Sequence, residues 1–438
     1  MKILGVDLGS TAVRAVEIES NFRRFEIREY FEEKILEGDT AAAALERLMT
    51  ALPRKPDKIV SLIPTSKTTF RTLQLPTRDK KAIQSGIAFE LEDELPFELS
   101  ESVLEHATVG AQGNSTLVHV AVLLKSTLQQ EIDALEAHGI QCDLISTEAW
   151  ALRGLLNRLL PPKILSEPCL YVHMGAKRTL LYVHGDGVPQ VIRELPWGGN
   201  DLTSAICTKY GLPWASAETT KLENGFVLPP SQYDSKSHEQ REFSDTLLEP
   251  LAELLLSIRQ ALLSGKSMTH QNVSRIYLSG GPTQMLGLAK LIEEELNVPV
   301  FQTLPMTSIS GAGGVKYSES TDACFGLALA AALTLVGPDR NLILNFRHGE
   351  FAKRGSASNL QLPSLRGPAL ALSLIFSTWI GSNWIKSAQY ETQIEDANTS
   401  LERAVKGFFG QMSSSAVRTY LGRPSELKKN IQKEITEQ

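Results

Sequence analysis

The residues in this chain whose types and spacing could do chemistry cluster at three glycine-bearing turns. The first, in GVDLGSTAVR, sets Asp7, Gly9, Ser10, Thr11 and Arg14 across a bend between two apolar runs. Hydroxyls, turn amides and a basic side chain suit an anion such as a phosphate, and the carboxylate suits a hard cation. An ordinary hairpin would use the same residues for their turn conformation alone. The second turn carries Gly175 in CLYVHMGAKRTLLYV and is followed by WGGN, which contains Gly198. The third, RIYLSGG, ends at Gly280 and Gly281, and helical periodicity follows from Pro282 to Leu296. A strand, a glycine pair and a helix start make a place where backbone approaches a ligand closely.

No other constellation carries chemistry. The eight histidines are scattered, and neither an HExxH nor a GxxxxGK[ST] signature occurs. Cys142, Cys169, Cys207 and Cys324 are widely spaced, as reduced thiols are, without the spacing of a zinc site or a disulfide framework. We therefore assign no catalytic residues and no metal ligands. A net charge of -6 argues against nucleic acid as a partner.

The elements that would position these turns follow from apolar patterning. Lys2–Glu17 and Cys169–Val183 each read as strand, turn, strand, a duplicated grammar separated by about one domain length. Between them, strands at Lys58–Ile63, Thr68–Leu75 and Thr116–Leu124 and helices at Asp79–Leu91 and Leu128–His138 predict a small α+β insert. Ala323–Val336 is apolar but too short for a bilayer, and reads as a core helix of the second lobe. Gly367–Ile385 runs uncharged for roughly 28 Å of helix and reads as a single membrane span. Behind it, Tyr390, Ile394, Ala397, Leu401, Ala404 and Phe408 recur at spacings of four and three, the seam of a coiled coil.

GVDLGSTAVR, LPTRDKKAIQSGIAFELEDELPFELSE, LPWGGNDLTSAI and LSGGPTQMLGL, in this order, resemble the actin-like ATPase superfamily over about 340 residues. They are most similar to its PilM and GspL branch, from type IV pili and type II secretion systems respectively. The resemblance implies an α/β, two-lobed actin-like fold with the small insert, then the transmembrane helix and a short helical tail. The expected divisions are lobe I at 1–56 and 143–167, the insert at 57–142, lobe II at 168–336, a connector at 337–366, the span at 367–385 and the tail at 386–438. It implies ATP as ligand of the cleft, with phosphates at the first two hairpins and adenosine at Gly280 and Gly281; glycines kept for shape alone remain the alternative. Asp7 matches the family's magnesium-placing position. His173 stands where the second hairpin usually has an aspartate, so hydrolysis is expected to be weak or absent.

NLILNFRHGEFAKRG, beginning at Asn341, resembles the stretch before the membrane helix of GspL and, more loosely, the peptide by which PilN binds PilM. Asn341, Leu342, Leu344, Asn345, Phe346 and Gly349 are accordingly expected to form an added strand or docked peptide. The fused order favours the GspL branch. It implies an inner-membrane scaffold that recruits a GspE-like secretion ATPase, meets a GspM-like bitopic protein and dimerises through its tail. Without a signal peptide, the amino-terminal part is expected in the cytoplasm and the tail in the periplasm. A PilM-like pilus protein binding ATP and a PilN-type peptide, or an actin-like ATPase switch, are the alternatives.

Overall fold

The strand Lys2–Leu8 (β1), buried from Ile3 to Asp7, is the axis on which a five-stranded sheet is assembled. Ala12–Asn21 (β2) and Arg24–Lys34 (β3) extend it antiparallel on one side. After the helix Ala41–Ala51 (α1), capped by the Thr40 hydroxyl, Lys58–Ile63 (β4) pairs parallel with β1 on the other side. The computed structural model describes the chain except residues 22–23, 93, 186, 310–316, 337–342, 354–361 and most positions beyond 409. The expected Asn341 and Leu342 therefore lie outside the described residues.

The insert is narrower than its sequence limits. β4 belongs to the lobe I sheet, and the insert proper is Thr69–Leu75 (β5), Lys80–Glu92 (α2), Ser102–Gln112 (β6) and Ser115–Leu124 (β7). Its sheet runs β5-β7-β6, and α2 closes it by setting Ile83, Ile87 and Leu91 against Leu73, Leu75, Val118 and Val120. Spacings of four along the helix meet alternation along the strands, each in its own period. The helix Lys125–Glu136 (α3) returns to lobe I, burying Leu128, Ile132 and Leu135 with Leu4 and Val6. Leu144–Thr147 (β8) then adds the parallel edge strand, giving the order β3-β2-β1-β4-β8. Glu148–Leu159 (α4) follows at once, capped by Thr147.

Lobe II repeats the plan. Cys169–Met174 (β9), Thr179–Gly185 (β10) and Val188–Leu195 (β11) form the antiparallel part, and Arg275–Ser279 (β12) and Val300–Gln302 (β13) the parallel part, in the order β11-β10-β9-β12-β13. Its longer helices are Gly199–Tyr210 (α5), Trp214–Asn224 (α6), His238–Thr269 (α7) and Leu288–Leu296 (α8). Gly326–Leu333 (α9), expected in the core of lobe II, packs instead directly on β1 of lobe I. A Cβ on Gly5 would lie 2.2 Å from the Ala328 carbonyl oxygen, so only glycine admits that approach. The resulting core joins Ile3, Val60 and Leu152 of lobe I to Tyr171 and Tyr182 of lobe II through Leu327 and Leu333.

Contacts divide the chain into two compact units, Met1–Lys353 and Arg354–Gln438. In the second, the expected span and coiled seam are one continuous helix, Leu362–Phe409 (α10). The span itself is not supported: among the described residues no helix is long and apolar enough to cross a membrane. Ser373, Ser377, Thr378, Ser382 and Asn383 dilute the apolar character of 367–385.

Candidate functional site, a cleft between two glycine turns

The β1–β2 turn of lobe I and the β9–β10 turn of lobe II face a common cleft of about 610 Å³, ample for a nucleotide-sized ligand. Asp7 closes β1 and stands directly across the strand pair from Arg14. It is 7% exposed, and burial together with the neighbouring Glu148 pushes its carboxyl up to about 6, while Arg14 and Arg178 pull the other way. Ser10 and Thr11 are exposed at the mouth, and Gly9 lets the turn close onto the Ala12 carbonyl. Arg14 donates from Nε to Glu32 at 2.6 Å.

On the opposite wall, Gly175 closes its turn by donating to the Arg178 carbonyl at 2.8 Å. Gly198 does not line the cleft. Its missing side chain lets the WGGN turn lie on Ala176, whose carbonyl oxygen would be 2.5 Å from a Cβ there, and the lining falls to Gly199 and Asn200. Gly280 has φ 96°, and a Cβ would meet the Met174 carbonyl oxygen at 2.0 Å, so it is glycine by conformation and by space. Gly281 lines the cleft beside it. Asp7, Gly9, Ser10, Thr11, Arg14, Gly175, Gly280 and Gly281 are thus brought together; Gly198 supports them from behind.

His173 is buried and its Nδ1 lies 2.8 Å from the Ser279 hydroxyl. Burial first, then Arg178 and Arg14, push its pKa down to about 3, so the imidazole is neutral. A neutral imidazole committed to a hydroxyl is a poor partner for Mg²⁺, which prefers oxygen. Among the described residues no group of three His, Cys, Asp or Glu side chains could hold a metal ion. The donor set therefore does not fit a resident metal.

Sequence reasoning missed several lining residues. One stripe of α6, Trp214, Glu218, Lys221 and Leu222, faces the cleft at helical spacing. Lys221 donates to the Gly199 carbonyl, the Thr203 hydroxyl and Glu218 at 2.9, 2.8 and 2.7 Å. Its periodicity was visible in WASAETTKL, but nothing in that stretch marks it as site. Arg178, three residues after Gly175, was also passed over.

The expected partner segment lies elsewhere in the first unit. From Ile343 to Lys353 the chain is laid along β8, the edge of the lobe I sheet. Phe346 donates its amide to the Ile145 carbonyl at 2.9 Å, and the Asn345 side chain accepts from the amides of Ile145 and Arg347 at 3.2 and 3.0 Å. Leu344 and Phe346 are buried in the lobe I core. Arg347 pairs with Glu136, His348 with Glu105 and Lys353 with Asp143 at 2.6, 2.6 and 3.0 Å. Gly349 takes φ 57° at the following turn. The segment docks through a side-chain amide and one ladder bond and is not a regular strand.

Residues 5–337 match the family described as type IV pilus assembly protein PilM. The chain is 26% identical over 174 residues to the cell division protein FtsA of Borreliella burgdorferi, covering 36% of this chain and 42% of that one; it thus spans about two fifths of that relative's length. Among solved structures it resembles a PilM-PilN type IV pilus biogenesis complex, with TM-score 0.65, 22% identity, and coverage of 77% of this chain and 99% of that one. The cytoplasmic domain of EpsL, an inner-membrane component of the type II secretion system of Vibrio cholerae, gives TM-score 0.39 at 10% identity over 80% of this chain and 100% of that one, too distant to support the GspL branch that the sequence favoured. With its match spanning both lobes and both turns, this chain belongs to the PilM family of actin-like proteins.

Proposed function

We propose that the chain is a non-catalytic scaffold of type IV pilus assembly or a related secretion machine, with a nucleotide cleft between its lobes and a peptide-holding edge on lobe I. The observation that carries this is the docking of 343–353 on β8: the edge accepts a short extended peptide through backbone and asparagine hydrogen bonds, with apolar side chains sunk beside it. In the related complex PilM is assembled with PilN. In this chain the corresponding occupant is supplied in cis. ATP or ADP is the ligand we assign to the cleft, without hydrolysis, because neither His173 nor the metal-poor donor set equips it to activate water.

We further assign to α10 the task of holding the first unit at the cytoplasmic face of the inner membrane. Its exposed run Ile375, Phe376, Trp379, Ile380, Trp384 and Ile385 supports this. GspE-like and GspM-like partners remain part of the same proposal.

The test is a pull-down in which the full chain, and a full chain with Leu344→Asp and Phe346→Asp, are each offered a PilN-type peptide and, separately, a secretion ATPase's amino-terminal domain. Capture of the peptide by the freed variant alone supports an edge occupied in cis. Capture of neither ligand by either protein sinks the scaffold reading. A nucleotide-driven switch is the second reading, favoured by the two carboxylates Asp7 and Glu148 beside the cleft; hydrolysis abolished by Asp7→Ala would establish it.

A further inference from the structure

At the back of the cleft one guanidinium ties the two lobes together. Arg178, on the lobe II turn, donates from both terminal nitrogens to Glu148 at the start of α4 in lobe I, at 2.7 and 2.5 Å. It also donates to Glu194 of lobe II at 3.0 Å. Each carboxylate is in turn held from lobe I: Glu148 accepts the Thr65 amide at 3.3 Å, and Glu194 accepts the Ser66 amide at 3.2 Å. Glu148 is 2% exposed, and this bidentate pairing satisfies a carboxylate that would otherwise be buried alone.

This arrangement conflicts with what the cleft must receive. A polyphosphate brings several negative charges to a wall that already presents Asp7, Glu32 and Glu218. Of the four lining cations, Arg14, Arg178 and Lys221 are each engaged in an ion pair, and Lys34 is exposed to solvent. An anion seated against the half-buried cations, rather than at the exposed Lys34, therefore requires a partner exchange. Arg178 is the cation placed for it: it belongs to the glycine turn that faces the ligand, and two of its bonds are to the other lobe.

We propose that Arg178 is an exchangeable phosphate ligand, held by Glu148 across the lobes while the cleft is empty and transferred to the nucleotide's phosphates when it fills, so that binding and unlatching of the lobes are one step. This rests on the nucleotide reading above and adds to it the residue and the coupling. Glu148 competes with the phosphate for Arg178, and the apparent affinity is reduced by the fraction of molecules in which the latch is closed.

The experiment titrates ADP and ATP, with Mg²⁺, into the full chain, Glu148→Gln and Arg178→Gln, while amide hydrogen exchange is followed at Thr65 and Ser66. Both substitutions break the latch and both raise exchange at those amides without ligand. Their effects on affinity are opposite: Glu148→Gln binds about 5-fold tighter, because the competitor is weakened, and Arg178→Gln about 10-fold weaker, because the phosphate ligand is gone. A purely structural role would move both affinities the same way. Equal-sign effects, or Thr65 and Ser66 amides that do not respond when the wild-type cleft is saturated, overturn the proposal. If the wild type binds neither nucleotide, that reading fails first, and inorganic tripolyphosphate becomes the probe; silence at Thr65 and Ser66 with tripolyphosphate then overturns the exchange as well.

Discussion

Asp7 is costly to keep charged where it is. Its carboxyl is pushed up to about 6 in the folded protein, against 3.8 for the free group, so the folded state holds the proton more tightly than the unfolded one. The associated stability is present at low pH and is lost as pH rises through about 6. Asp7→Asn, which removes the ionisation, should therefore stabilise the protein by about 2–3 kcal/mol at pH 8, with the advantage shrinking below pH 6; denaturant unfolding at the two pH values checks it. A uniform gain or loss across pH would mean that Asp7 is not ionising in this environment. At Gly280 both φ and space forbid a side chain, so Gly280→Ala should cost about 3 kcal/mol or more and lower the unfolding midpoint accordingly. Asp7, the glycines and Arg14 were readable as a group because they lie within a few positions of a turn. Arg178 was not: its meaning comes from Glu148, 30 residues away and on the other lobe. Ion pairs of that kind leave no periodic trace.

At the scale of elements, the strands with dense apolar patterning were legible and those with mixed faces were not. β1, β9 and β12 are buried along most of their length and announce themselves. β3, RFEIREYFEEK, is an edge strand with six acidic or basic residues turned to solvent, and nothing in it exceeds the pattern of a charged loop. β6 was missed likewise, because SVLEHATVGAQ mixes both characters. The helix α9 was legible as a core helix but assigned to the wrong sheet, since an all-apolar helix does not say which neighbour it covers; Gly5, the small residue that admits it, lies more than 300 positions earlier. Docking of 343–353 rests on Leu344 and Phe346, so Phe346→Ala should destabilise the first unit by about 3–5 kcal/mol. Chemical denaturation followed by tryptophan emission measures this; a change under 1 kcal/mol would mean that the segment is held by its charged contacts alone.

The whole molecule combines a two-lobed unit with a long helix of different character. Tyr390, Ile394 and Leu401 are 62%, 60% and 45% exposed on α10, an apolar seam that a single helix leaves to solvent. Association of the full chain into dimers, read by analytical ultracentrifugation in detergent, is the expected outcome, and Ile394→Asp with Leu401→Asp should return it to monomers. A sedimentation coefficient unchanged by the pair would remove the tail from the assembly interface. Duplication of the sheet plan was visible from the start in two hairpins at one domain's spacing. The length and polarity of α10 were not, because a charge-free run and a coiled seam read as separate segments when a single helix carries both.

Covalent attachment changes the arithmetic of the β8 edge. A peptide in solution fills a groove according to its concentration, whereas one tethered through a short connector is presented at an effective concentration on the order of millimolar whatever the number of molecules in the cell. Any external peptide of the same chemistry must exceed that figure, divided by its affinity relative to the resident one, before it displaces it. Occupancy of this edge is therefore buffered against expression level, and one edge is matched to one peptide in every copy of the chain.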